Sequence, residues 1–174
     1  MQITAKFLAD LLTGARALVA IGVLGAARWR EQTTIPPVVG AVTLAWSSDM
    51  LDGQLAKKGG KSPIEWVGKW DHAIDSSLAS ATLIYLWRVR LIPDWLLIVP
   101  PLSTILIWLK VRSEWVWMSF NTGSHVVALT ALFNRFPTLA SAAVGWGALV
   151  TLLGRHRARE MLAEIRLRLK PSRG

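Results

Sequence analysis

The chain has 174 residues, 52% of them hydrophobic and only 18% charged, with a mean hydropathy of +0.38. That balance excludes an ordinary soluble enzyme and a disordered chain, and the absence of cysteine excludes disulfides, a thiol nucleophile and thiolate metal sites. The net charge of +9 is carried between apolar runs and in a basic tail, which points to membrane topology and anionic lipid, not nucleic acid, as its partner.

Six apolar runs follow one another, each long enough to be read as a membrane helix. The first covers 5–27. It contains Asp10 and Arg16, which argues for a retained helix over a cleaved leader. The second covers 37–55 and is entered through Pro36-Pro37, where proline is tolerated. The third covers 71–87. The fourth covers 93–109, with a kink expected at Pro100-Pro101. The fifth covers 114–133 and the sixth 137–153. Gly145 and Gly147 in the sixth permit close helix contact.

The expected fold is therefore all-α: an integral membrane bundle of six transmembrane helices over 1–154, followed by a basic cytoplasmic tail over 155–174. With the amino terminus in the cytoplasm, Lys6, Lys57, Lys58, Lys61, Lys69, Lys110, Arg112 and the tail arginines share one side. Arg28, Arg30, Arg88, Arg90 and Arg135 fall on the other. The larger share lies inside, which places both termini in the cytoplasm. In the tail, Ala158, Met161, Leu162, Ile165 and Leu169 share one helical face among arginines, as in a helix lying on an anionic leaflet.

Four aspartates stand out. Asp49 and Asp52 are spaced i, i+3, and Asp71 and Asp75 i, i+4, so each pair occupies one helical face near the same end of the bundle. Four carboxylates brought together there repel one another and are costly in a bilayer. A hard divalent cation removes that cost, and Mg²⁺ or Mn²⁺ prefers such oxygen donors. Two such ions suit a diphosphate substrate.

Positions 49–57 read Asp-Met-Leu-Asp-Gly-Gln-Leu-Ala-Lys, and 67–75 read Val-Gly-Lys-Trp-Asp-His-Ala-Ile-Asp. This resembles the signature of the CDP-alcohol phosphotransferase family, D-x-x-D-G-x-x-A-R followed after a short spacer by G-x-x-x-D-x-x-x-D. Lys57 stands where the family has Arg, and Val67 where it has Gly. Leu12-Thr13-Gly14-Ala15-Arg16 in the first helix is similar to an L-T-x-x-R segment of small bacterial phosphatidylglycerophosphate and cardiolipin synthases.

The resemblance implies transfer of a substituted phosphoryl group from a CDP-linked donor such as CDP-diacylglycerol. The acceptor is a hydroxyl of a small polyol or polyol phosphate, and CMP is released. By the same resemblance Asp49, Asp52, Asp71 and Asp75 are metal ligands, and Asp75 is also the general base. Asp49, Gly53, Ala56 and Lys57 meet the donor nucleotide and its phosphates. Arg16, Lys69, Lys110 and Arg112 are candidates for the acceptor phosphate, because the fourth run offers no Arg-Glu pair. Ser119, Asn121, Thr122, Ser124 and His125 either bind a polyol or bond between helices.

The resemblance also implies a homodimer in the cytoplasmic membrane. The alternative is a catalytically inactive homologue serving as a membrane scaffold or a divalent-cation transporter. Membrane prenyltransferases, which also pair aspartate-rich motifs with Mg²⁺, have longer chains and more widely separated motifs. Lysine lacks the planar fork with which arginine grips phosphate. Lys57→Arg is therefore expected to hold a CDP-alcohol as tightly as the natural chain or more tightly, as read by titration with the donor. A marked loss means that Lys57 serves a different ligand.

Overall fold

The computed structural model describes residues 5–58 and 66–153, with side chains except those of 5–10, 49–58, 66–71, 114 and 153. It is all-helical: α1 (Ala5–Ala26), a 3-10 turn (Gln32–Thr34), α2 (Ile35–Lys58), α3 (Trp66–Arg88), α4 (Asp94–Val111), α5 (Glu114–Arg135) and α6 (Pro137–Leu153). There is no strand among the described residues. The basic tail lies outside them.

The helices follow the apolar runs, with local chemistry setting several ends. Ser113 caps α5, its hydroxyl accepting from the Trp115 amide. Pro137 opens α6 at a position where its missing N–H is no loss. α2 begins at Ile35, so Pro36 and Pro37 sit in its first turn. α3 begins at Trp66, ahead of the expected Asp71, because helix hydrogen bonding continues past the apolar run into the charged motif. α4 remains one helix through Pro100 and Pro101. There Ser103 and Thr104 both donate to the Pro100 carbonyl, at 2.9 and 2.8 Å.

α1 packs against α2 and α3, α2 against α6, α6 against α5, and α5 back against α3. Five helices thus close a ring, and α4 lies outside it against α3 and α5. The core is built largely from small and branched side chains, among them Ala20, Val23, Ile35, Ala79, Ala81, Leu83 and Ala140. Alanine at these positions lets helix backbones approach closely. Gly147 and Gly145 do not act in this way: a Cβ at Gly147 would meet the Trp46 ring at an ordinary 3.5 Å, and nothing approaches Gly145.

Among the described residues one helix, Asp94–Val111, is long and apolar enough to cross a membrane; Leu11–Ala26 and Pro137–Leu152 are shorter apolar segments. The ionisable residues of the aspartate motif and its neighbours dilute the apolar character of α2 and α3.

Tyr85, fully buried on α3, ties the start of α2 to this frame. The Thr34 hydroxyl donates to the Glu31 carbonyl at 2.6 Å, so across the 2.8 Å contact the Tyr85 hydroxyl is the donor. Tyr85→Phe is expected to lower unfolding free energy by about 1 kcal/mol, measured by denaturant titration in micelles.

Candidate functional site

A cavity of about 370 Å³ lies where α1, α2, α3 and α5 meet. Its polar lining is Arg16 from α1, His72 and Asp75 from α3, and Asn121, Thr122 and His125 from α5. Ala45 and Trp46 of α2 and Met118 of α5 supply apolar wall.

The Arg16 side chain is 1% exposed and Asp75 is 24% exposed. Arg16 Nη1 donates to Asp75 Oδ1 at 2.5 Å, and Nη2 donates to the Thr13 hydroxyl at 3.1 Å. Thr13 and Arg16 are one turn apart on α1, so their spacing lets the threonine orient the guanidinium. A buried arginine is tolerable only when its charge is paired. Asp75 supplies that pairing from 59 residues away.

The α5 residues divide by face. Ser119 donates to the Trp115 carbonyl and Ser124 to that of Phe120, both at 2.8 Å. Those two line a separate groove with α4, away from Asp75. Asn121, Thr122 and His125 line the Asp75 cavity. The Asn121 Oδ1 atom is buried with no hydrogen-bond partner among the described residues. Leaving such an acceptor unmet costs about 1–3 kcal/mol.

His125 Nδ1 lies 2.5 Å from the Asn121 carbonyl. A carbonyl only accepts, so Nδ1 carries the hydrogen. The ring stacks on Trp46, with centroids 4.9 Å apart and planes 23° from parallel. Behind this pair lies a second cavity of about 320 Å³ between α2, α3, α5 and α6. Val38, Val39, Val42, Leu86, Leu132 and Val144 make it predominantly apolar. Trp46, His125 and Leu129 belong to the walls of both cavities.

Of the residues singled out in the sequence, the structure brings Asp75 and Arg16 into direct contact. Lys110 and Arg112 stand exposed at the end of α4, outside the cavity lining. Asp49, Asp52, Gly53, Ala56 and Lys57 lie on the final turns of α2, and Lys69 and Asp71 lie on α3, Asp71 one turn before Asp75. Their side chains are outside the described residues. Trp46 was not apparent from sequence, although it precedes Asp49 by one turn.

Among the described residues no group of three or more metal-ligating side chains assembles. The oxygen donors at hand, the Asp75 carboxylate and the unmet Asn121 Oδ1, are of the hard type that suits Mg²⁺ or Mn²⁺. No family model, curated protein or solved structure matches the chain.

The Arg16–Asp75 pair makes a stability prediction. Removing Arg16 takes from the Asp75 carboxylate its guanidinium contact. Arg16→Met is expected to lower unfolding free energy by about 3 kcal/mol, and adding Asp75→Leu to recover much of that loss. Reversible unfolding in micelles measures both, and independent effects would show that the pair is not the source.

Proposed function

We propose that the chain is a metal-dependent integral-membrane phosphotransferase of the CDP-alcohol type. In this reading six helices span the cytoplasmic membrane, both termini and the aspartate motif face the cytoplasm, and the protein assembles as a homodimer. The observation that carries the proposal is the placement of Asp75. The last aspartate of the motif sits at a polar cavity, held by a buried arginine from the T-x-x-R segment.

Asp75 is the base in this proposal. It takes the proton of an acceptor hydroxyl, whose oxygen attacks the phosphorus that carries the donor's lipid alcohol. The bond from that phosphorus to the oxygen of CMP breaks, and CMP leaves with its electron pair. The product is a phosphodiester. An alcohol needs such proton removal to attack effectively. Arg16 fixes the direction of the Asp75 carboxylate, so the base meets the hydroxyl in one geometry.

Asn121 and Thr122 form the acceptor end, as polar side chains lining the cavity beside Asp75. The apolar cavity beyond Trp46 and His125 suits a lipid chain, which supports a diacylglycerol-type donor. Asp49, Asp52, Asp71 and Asp75 are the proposed ligands of Mg²⁺ or Mn²⁺. When bound, the metal offsets charge on the diphosphate and the leaving CMP. Gly53, Ala56 and Lys57 are proposed to meet the donor's nucleotide and phosphates.

The arrangement narrows the acceptor. Arg16 is engaged by Asp75, and Lys110 and Arg112 stand away from the cavity. The described α5 lining is rich in neutral hydrogen-bonding groups, which favours hydroxyl-bearing acceptors bound through their hydroxyls.

CMP release from CDP-diacylglycerol with Mg²⁺ or Mn²⁺ tests the reading, with glycerol 3-phosphate, inositol phosphate, phosphatidylglycerol and serine offered separately. Acceptor-dependent release is expected, and Asp75→Asn is expected to lower it by about 10²–10⁴-fold. Folded, metal-binding protein that releases no CMP from any CDP-alcohol would instead favour the transporter reading, and absence of metal binding as well the scaffold.

A further inference from the structure

At the opposite end of the bundle, the turns after α1 and α3 lie side by side. Arg88 Nε donates to the Ala27 carbonyl at 3.3 Å and binds one turn to the other. From Asp75 to Arg88 along α3 is about 20 Å, by helical rise. This end is therefore remote from the candidate site. It gathers Arg28, Arg30, Arg88 and Arg90, with Glu31 and Asp94 as acidic neighbours.

Both carboxylates already have partners. Glu31 accepts from the Thr33 hydroxyl at 3.1 Å. Asp94 accepts from Trp87 Nε1 at 2.7 Å and lies only loosely against Arg90, at 3.9 Å. Arg28, Arg30 and Arg90 are exposed. Arg28 and Arg30 have no ion pair among the described residues. Trp29 projects beside them, 69% exposed, and the Arg88 guanidinium lies 5.8 Å from the centre of the Trp87 ring.

The backbone adds a second observation. The positive-φ residues other than glycine, among those described, are Arg30, Arg90 and Arg112, at 54°, 61° and 49°. Arg90 closes α3. Its amide donates to the Trp87 carbonyl and the Leu91 amide to that of Leu86, a pairing that usually places glycine at this position. Arginine adopts this conformation with more strain than glycine. The strained choice occurs in both adjacent turns of the same end and exposes a guanidinium each time.

We propose that this arginine–tryptophan surface binds the phosphate of an anionic lipid headgroup in the leaflet opposite the candidate site. Arginine forks suit phosphate oxygens. Indole rings are favoured at the depth where headgroups begin, so Trp29 and Trp87 place the cations at phosphate level. Stabilisation of the α1 and α3 ends by nearby cations accounts for positive charge there. It does not require arginine at two left-handed positions, nor the exposed indole. The proposal rests on the bilayer reading above and is independent of the catalytic one.

The test compares the natural chain with Arg30→Gly/Arg90→Gly in nanodiscs of phosphatidylcholine, with and without phosphatidylglycerol. Glycine relieves the backbone, so in phosphatidylcholine alone the variant is expected to melt at or above the natural chain. Phosphatidylglycerol is expected to raise the melting temperature of the natural chain, and the variant to lose most of that shift. Equal shifts in the two proteins overturn the proposal, because other basic segments then account for the response. Inorganic phosphate matching the effect in phosphatidylcholine overturns the lipid assignment. Arg28→Gln/Arg30→Gln, which leaves the α3 turn intact, is expected to show a smaller loss of the same sign; an undiminished shift counts against the surface. Release of the protein from membranes by alkaline carbonate would remove the bilayer reading itself, separately from these outcomes.

Discussion

The contact between Arg16 and Asp75 constrains much of the surrounding structure. A guanidinium almost wholly removed from water demands a carboxylate, and that carboxylate belongs to a different helix. Meeting the demand fixes α1 against α3 at a definite depth, with Thr13 setting the approach. Since α1 also packs on α2 and α3 on α5, the same contact helps position four walls of the polar cavity. Replacing such a pair by matched apolar side chains is often harmless to stability, so its retention calls for a reason beyond stability. The orientation of Asp75 is that reason in the proposed chemistry.

Around this contact the bundle sorts its polar groups by what they can reach. Hydroxyls at Ser47, Thr82, Ser119, Ser124 and Thr130 return to carbonyls of their own helices. A bonded hydroxyl of this kind is tolerated in apolar surroundings. Ser47 also accepts from the Trp146 indole at 2.8 Å and so links α2 to α6. Ser76 Oγ and Asn121 Oδ1 differ, because they are buried with no hydrogen-bond partner within the described structure. Of these two, Asn121 borders the polar cavity.

The helices were largely legible in the sequence because apolar runs broken by charge and proline mark helical segments well. One boundary slipped: the third run was expected from Asp71, but Val67 and Gly68 are already inside α3. The Thr13–Arg16 spacing was visible, but the partner of Arg16 was not, since no local pattern encodes a contact across 59 positions. The polar stretch of α5 was visible too. Which of its residues face Asp75 depends on how α5 is rotated against α3, and a helix with hydroxyls on several faces conceals that rotation. Left-handed arginines were hidden for another reason, since propensity favours glycine at helix ends.

The ring pair of Trp46 and His125 separates a polar space from an apolar one while forming part of both walls. A change of size or tilt in either ring alters the two spaces together. On the proposed function, selectivity for a headgroup and selectivity for a chain are therefore entangled at these positions. They are separable elsewhere: Thr122 borders only the polar space, and Val38 only the apolar one. If the proposed function holds, divergence toward a new lipid has independent routes at the periphery of the cavities and a shared constraint at their common wall.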